Sequence, residues 1–149
     1  MEARLFLGDE AASLALGKKI AGYVAPGDVI TLSGPLGAGK TSIARGMLAA
    51  LGLRTEAPSP SFAIVQPYDP PEVRLPVRHV DLYRVENIRD LVELGLDEDA
   101  VDSVLLIEWP ERAGDNYWPN ALALRIDVLP SGGRALTVAV PAAWKARWP

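Results

Sequence analysis

Cysteine is absent from the 149 residues, and histidine occurs once, at His79. Disulfides, thiolate-bound zinc and cysteine nucleophiles are excluded, and a lone imidazole argues against an all-protein zinc site or a histidine-based triad. No run of about eighteen consecutive apolar residues occurs, so no membrane span is expected. Basic residues do not predominate: 15 Lys and Arg stand against 19 Asp and Glu, for a formal net charge of −4. With a pI near 5.0, a broad basic face for holding RNA or DNA is not expected, because non-specific affinity comes from neutralising phosphates. The first residues carry Glu2, Arg4 and Asp9 and lack the basic-then-apolar layout of a secretion signal. Cytoplasmic residence is the default expectation.

What is present suffices to bury a core. Hydrophobic residues make up 49% and charged residues 23% of the chain, and its mean hydropathy is +0.12, too apolar for disorder. At 16.0 kDa it is expected to form one domain over residues 1–149.

Arg4-Leu5-Phe6-Leu7 suits a short strand, Gly8-Asp9 a turn and helix cap, and Ala12, Leu16 and Ile20 one stripe of a helix from Glu10. Pro26-Gly27-Asp28 stops that helix. Val29 to Leu32 is a β-branched apolar run without alternation, as in a strand covered on both faces. After a glycine-rich turn, Ile43, Met47, Leu48 and Leu51 recur at helical spacing, and Gly52 stands where a C-terminal cap belongs. The proline-rich stretch from Arg54 to Arg78 excludes one regular helix. Phe62 to Val65 and Arg78 to Tyr83 are read as strands, and a helix is expected from Asn87 with Ile88, Leu91, Val92 and Leu94 facing inward. Val101 to Ile107 is expected to be a second continuous apolar strand. Ala121 to Leu129 and Arg134 to Val140, around Pro130-Ser131-Gly132-Gly133, read as an antiparallel hairpin. The expected fold is therefore α/β, a mostly parallel central sheet with helices on both sides and a C-terminal antiparallel hairpin.

Gly34-Pro35-Leu36-Gly37-Ala38-Gly39-Lys40-Thr41 fits G-x-x-x-x-G-K-[ST] in full, between a buried strand and an amphipathic helix. Gly37 and Gly39 let the backbone wrap closely round phosphate oxygens while successive N–H groups point inward. The helix starting near Lys40 adds the positive end of its dipole. In such a loop Lys40 bridges the β- and γ-phosphates and the Thr41 hydroxyl holds Mg²⁺.

A carboxylate at the end of a neighbouring strand is also needed. Val104-Leu105-Leu106-Ile107 is followed by Glu108, one methylene longer than the usual aspartate, so direct and water-mediated contact with the metal are both open. Asp81 closes its own short strand and is open to three readings: a second metal-shell carboxylate, the base that orients attacking water, or a partner of Arg84. His79, among apolar residues, is read as a packed, hydrogen-bonded side chain rather than a catalyst. Ser59-Pro60-Ser61-Phe62 lies where P-loop switches often keep a γ-phosphate-sensing loop.

Several blocks agree in order: GPLGAGKT at 34–41, SPSF at 59–62, Gln66-Pro67-Tyr68, HVDLYR at 79–84, Glu93-Leu94-Gly95-Leu96, and IEWPE at 107–111. Together they resemble the bacterial TsaE (YjeE) family, small P-loop ATPases of tRNA threonylcarbamoyladenosine (t6A) synthesis. The resemblance implies a three-layer α/β/α P-loop NTPase fold and an ATP-binding protein with weak Mg²⁺-dependent ATPase activity. It implies a partnership with the TsaB–TsaD pair in forming t6A at adenosine 37 of tRNAs reading codons that begin with A. Transfer of the threonylcarbamoyl group would belong to TsaD, and tRNA would be met only through the complex. Carried over by position, Gly34 and Gly37 to Ser42 (Ala38, Gly39, Lys40, Thr41 included) hold the phosphates, Thr41 and Glu108 hold Mg²⁺ with Asp81 beside them, and Asp81 is required for hydrolysis. Trp109 would shape the site or a partner surface. Ser61 stands where the family usually has threonine and keeps the hydroxyl. Arg134, after Gly132-Gly133, is carried over as a nucleotide contact, although a solvated hairpin arginine is the easier explanation.

Competing classes differ in testable ways. No Asn-Lys pair occurs, which disfavours the N-K-x-D guanine recognition of regulatory GTPases. A small-molecule kinase is the principal alternative, and a pure binding module with incidental hydrolysis is a third.

Overall fold

The computed structural model describes residues 2–58, 64–114 and 117–148. In chain order its elements are β1 (Glu2–Leu7), α1 (Glu10–Ala21), β2 (Val29–Ser33), α2 (Lys40–Ala50), β3 (Val65–Tyr68), β4 (Val77–Asp81), α3 (Ile88–Glu93), α4 (Leu96–Asp99), β5 (Val104–Glu108), β6 (Leu122–Val128) and β7 (Arg134–Ala139). Short 3₁₀ turns at Pro110–Ala113 and Ala142–Trp144 follow β5 and β7.

Local chemistry explains the helix ends. Asp9 caps α1, its Oδ1 accepting the Ala12 N–H at 2.9 Å, and Asn87 caps α3 by accepting the Arg89 N–H. The end of α2 closes with Leu53 N–H on Leu48 O and Gly52 N–H on Ala49 O. That Schellman arrangement needs the left-handed Gly52, at φ 117.

Among the described residues seven strands form one sheet in the order β1-β7-β6-β2-β5-β4-β3. The expected C-terminal hairpin is present, β6 and β7 pairing antiparallel, and β2 pairs parallel with β5 and β6, and β4 with β5. The expectation of a mostly parallel sheet is corrected, because β1/β7 and β3/β4 are antiparallel as well. The reason lies in the connections. A parallel pair needs a long crossover, which α2 and the α3–α4 region supply, whereas the short connection over 69–76 can only turn β3 back onto β4. The sheet is therefore mixed, with a parallel centre and an antiparallel wing on each side.

Alternation along the strands sends residues to two clusters. Val77, Val104, Leu106, Ile30, Leu32, Leu122, Leu124 and Leu136 pack with α1 and α2 residues such as Ile20, Ile43 and Met47. Val80, Leu105 and Ile107 pack on the opposite face with Leu91 of α3, Leu96 of α4 and Ala113. Helices cover both faces only over the parallel centre. On the hairpin, Arg125 and Asp127 of β6 are exposed and pair at 3.5 Å, the alternation of a sheet wet on one side.

Smaller readings also change. β3 starts at Val65 rather than at Phe62; Ile64 before it has φ 64, and Phe62 and Ala63 lie outside the described residues. The strand read as Arg78 to Tyr83 ends at Asp81, because the Asp81 carboxylate accepts the Tyr83 N–H at 2.9 Å and turns the chain. β5 begins at Val104, and Val101 is 80% exposed in the preceding turn. Val92 is exposed rather than inward-facing, since α3 has only six residues and turns Leu91 to the core. Among the described residues no helix is long and apolar enough to cross a membrane.

Candidate functional site

The carboxyl ends of β2, β4 and β5 meet at one edge of the parallel centre, the crevice where open α/β sheets bind ligands. β2 runs into the loop from Gly34 to Gly39, and α2 leaves it. Gly34 has φ 145, and a Cβ there would lie 2.5 Å from the Ile126 carbonyl oxygen, so only glycine fits beside β6. Gly39 takes φ 106 as the residue before α2. A Cβ on Gly37 would meet nothing within 4 Å: the loop is open on the side a ligand would occupy.

The register of β4 on β5 sets Asp81 directly opposite Glu108 and His79 opposite Leu106. Side-chain parity then turns His79, Asp81 and Glu108 to the face covered by α2. Thr41, in the first turn of α2, donates its hydroxyl to Glu108, with Oγ1 3.0 Å from Oε1 and 3.2 Å from Oε2. His79 Nε2 lies 2.6 Å from Glu108 Oε2. Glu108, Asp81, His79 and Lys40 are all buried, an unusual concentration of ionisable side chains away from water.

The Lys40 ammonium donates to Gly34 O at 2.7 Å and Pro35 O at 2.8 Å and sits 4.4 Å from the centre of the Trp109 ring. Burial pulls its pKa below the ordinary lysine value, against the opposing attraction of Glu108, Asp81 and Glu111. Trp109 holds the left-handed conformation, φ 60 and ψ 51. Its N–H extends the sheet by donating to Leu32 O at 3.1 Å, and its ring lies 4.9 Å from that of Tyr83. Non-glycine residues hold such a conformation only when their surroundings fix it.

Two cavities flank the loop. One of about 270 Å³ is lined by Lys40, Thr41, Asp81, Glu108 and Trp109 together with Leu36, Gly37, Gly39 and Ser42. The other, of about 370 Å³, lies across the glycines and is walled by Asp9, Glu10 and Ser13 at the start of α1 and by Gly133 and Arg134. Ser42 lines both and faces Glu10, Oγ to Oε1 at 3.5 Å. Among the described residues no cluster of three or more metal-ligating side chains exists, so no all-protein cage is present. A hydroxyl and two carboxylates beside an anion cradle are nevertheless the oxygen-donor set that suits Mg²⁺, which keeps several waters and shares its shell with phosphates.

A sequence profile of the family described as threonylcarbamoyl adenosine biosynthesis protein TsaE matches residues 7–135. The chain belongs to the TsaE family. It is similar to the tRNA threonylcarbamoyladenosine biosynthesis protein TsaE of Streptomyces coelicolor, at 38% identity over 75% of this chain and 76% of that one. It is similar to the protein of the same description from Rickettsia felis, at 31% identity over 90% and 78%. The crystal structure of YdiB from Bacillus subtilis superposes with a TM-score of 0.81 at 30% identity, covering 98% of this chain and 90% of that one.

Within this TsaE-family chain, Gly37, Gly39, Lys40, Thr41, Ser42, Asp81 and Glu108 line the smaller cavity and Ala38 the one across the glycines. Gly34 lies against Ile126 at the start of the loop, and Ser61 lies outside the described residues. Arg134 corrects the easier explanation of a solvated hairpin side chain. It reaches back to the loop, donating to Ala38 O at 3.0 Å and Gly37 O at 3.3 Å. Sequence reasoning missed the second cavity: Asp9 signalled a helix cap, and nothing local ties residues 9–13 to the loop. It also missed the His79–Glu108 contact, which joins residues 29 apart.

Proposed function

We propose that this TsaE-family chain is a single P-loop ATPase domain with the three-layer α/β/α architecture, binding Mg²⁺-ATP and hydrolysing it slowly. Its role is in t6A biosynthesis, where it supports the TsaB–TsaD pair in modifying adenosine 37 of tRNA, acting in the cytoplasm and meeting tRNA only through those partners. The observation that carries the reading is the Thr41–Glu108 hydrogen bond opposite Asp81, at the mouth of a glycine cradle.

In this reading the backbone N–H groups of Gly37 to Thr41 hold the phosphates, aided by the dipole of α2. Lys40 exchanges its two carbonyl partners for phosphate oxygens, which replace weak acceptors with charged ones. Thr41 and Glu108 would hold the cation with Asp81 close by, and a bound Mg²⁺ would supply charge neutralisation at the phosphates. Asp81 orients the attacking water and accepts its proton. The cavity between Asp9, Ser13 and Arg134 takes the nucleoside end, since it continues from the phosphate cradle on the side away from Glu108. The acidic balance of the chain suits a subunit whose partners carry the tRNA.

Calorimetric titration with ATP and Mg²⁺ tests the reading. Binding is expected for the wild type, loss of binding for Lys40→Ala, and binding without turnover for Asp81→Ala. Absence of ATP binding by well-folded wild-type protein would overturn it. Stoichiometric transfer of the γ-phosphate to a metabolite would favour a small-molecule kinase instead. Addition of TsaB and TsaD should change the hydrolysis rate.

A further inference from the structure

We infer that His79 is the positioning residue that holds the Glu108 carboxylate in its ligand orientation; the inference rests on the Mg²⁺-ATP reading above. Glu108 has one more rotatable bond than the aspartate usual at such a strand end, and therefore more orientations to lose when it is ordered. Among the described residues two groups restrain it: Thr41 Oγ1, at 3.0 Å from Oε1 and 3.2 Å from Oε2, and His79 Nε2, at 2.6 Å from Oε2. Thr41 is itself assigned to the cation. The restraint independent of the cation is His79.

The imidazole is built for this and for little else. It has no solvent exposure at all, so it acts through Glu108 rather than on the nucleotide. A carboxylate oxygen only accepts, so the contact with Glu108 requires a proton on Nε2. Nδ1 is buried without a protein partner among the described residues. A buried lone pair is tolerated better than a buried orphan N–H, so the reverse tautomer would lose the Glu108 bond and bury an unpaired donor as well. The strand register fixes the ring's position, since β4 pairs with β5 from Val77 to Asp81. Oε2 thus takes its shortest contact from His79, with the Thr41 hydroxyl 3.2 Å from the same oxygen and 3.0 Å from Oε1. Residues that orient metal ligands in this way typically carry a 10–100-fold effect on metal affinity.

A near-isosteric pair tests the role. His79→Gln retains an amide donor; His79→Met fills similar space without one. ATP affinity is measured by calorimetry in EDTA and across a Mg²⁺ series on folded, full-length protein, with thermal melting alongside. His79→Met is expected to need about 10-fold more Mg²⁺ to support ATP binding, with affinity in EDTA unchanged and His79→Gln restoring most of the loss. A folded His79→Met with wild-type Mg²⁺ dependence would overturn the inference, and equal loss in both variants in EDTA would reduce His79 to a packing role. Wild-type protein that binds no ATP at any Mg²⁺ concentration would instead sink the reading on which the inference rests. Because the chain has one histidine, ¹⁵N NMR of the wild-type imidazole decides the matter even if His79→Met does not fold. An Nε2–H tautomer whose signal shifts on adding Mg²⁺ and ATP supports the role; an Nδ1–H tautomer, or an unmoved signal, overturns it.

Discussion

Gly46→Ala should unfold the protein at much lower denaturant, although alanine is the better helix former. Helices α1 and α2 cross with their backbones in contact. A Cβ on Gly46 would lie 2.1 Å from the Leu14 carbonyl oxygen and 2.9 Å from its carbon, and one on Gly17 would lie 2.1 Å from Ile43 O. These neighbours are main-chain atoms, so no rotamer change relieves the clash. The helices must separate by roughly an ångström, enough to forfeit a quarter to a half of the dispersion attraction across the contact. Overpacking of this kind costs about 1–3 kcal/mol, and the helix-propensity gain of Ala over Gly returns about 1 kcal/mol. Because backbone meets backbone, we place the overpacking cost at the top of that range and expect a net loss of about 2 kcal/mol, read as a lower urea midpoint at unchanged m-value. Gly22→Ala is the control. Gly22 has ordinary helical dihedrals, φ −67 and ψ −12, and its added Cβ approaches only Lys19 O at 3.4 Å, so it should be neutral or stabilising by about 0.5 kcal/mol. If Gly46→Ala is as stable as the wild type, the close crossing does not exist as described. The same variant should weaken ATP binding, because α2 begins at the loop and Gly39 lies against Ser13 of α1.

Two further variants probe charge. Lys40→Met should abolish ATP binding yet raise the stability of the ligand-free protein by about 1 kcal/mol, since desolvation is the largest influence on this buried ammonium. Its lowered pKa means the unfolded chain holds the proton more tightly, so the destabilisation is full below the lowered value. It disappears as pH rises from the lowered value through the ordinary 10.5; a Lys40→Met advantage that grows over that window would contradict the assignment. At the C-terminal tail, Arg147 makes paired bonds of 2.7 and 3.0 Å to Asp28 and stacks 4.1 Å from the Trp144 ring. The ion pair is partly exposed, so Arg147→Ala should cost about 1–2 kcal/mol in denaturant unfolding. Arg147→Lys should recover little, because an ammonium cannot make the paired contact.

What was legible in the sequence is what short-range chemistry encodes. The cap at Asp9, the left-handed Gly52, the glycine-rich loop between Ser33 and Lys40, and the acid closing each of β4 and β5 are all written within a few residues of where they act. Strand direction at the sheet margins was not, since an edge strand such as β1 chooses its partner by what remains unpaired rather than by its own pattern. Arg134 shows the same limit: its carbonyl partners on the loop lie 96 and 97 residues away, and no local pattern announces them. Gly17 and Gly46 were likewise invisible, because a glycine in a helix signals only weakness until its neighbour is known. The metal side of the site depends wholly on one register. A slip of β4 against β5 by a single residue would turn His79 and Asp81 to the Leu105–Ile107 face, leaving Glu108 held by Thr41 alone. The burial of Val77, Val80, Leu105 and Leu106 on their proper faces is therefore what keeps the acids together, so core packing in β4 and β5 is itself part of how the site is built.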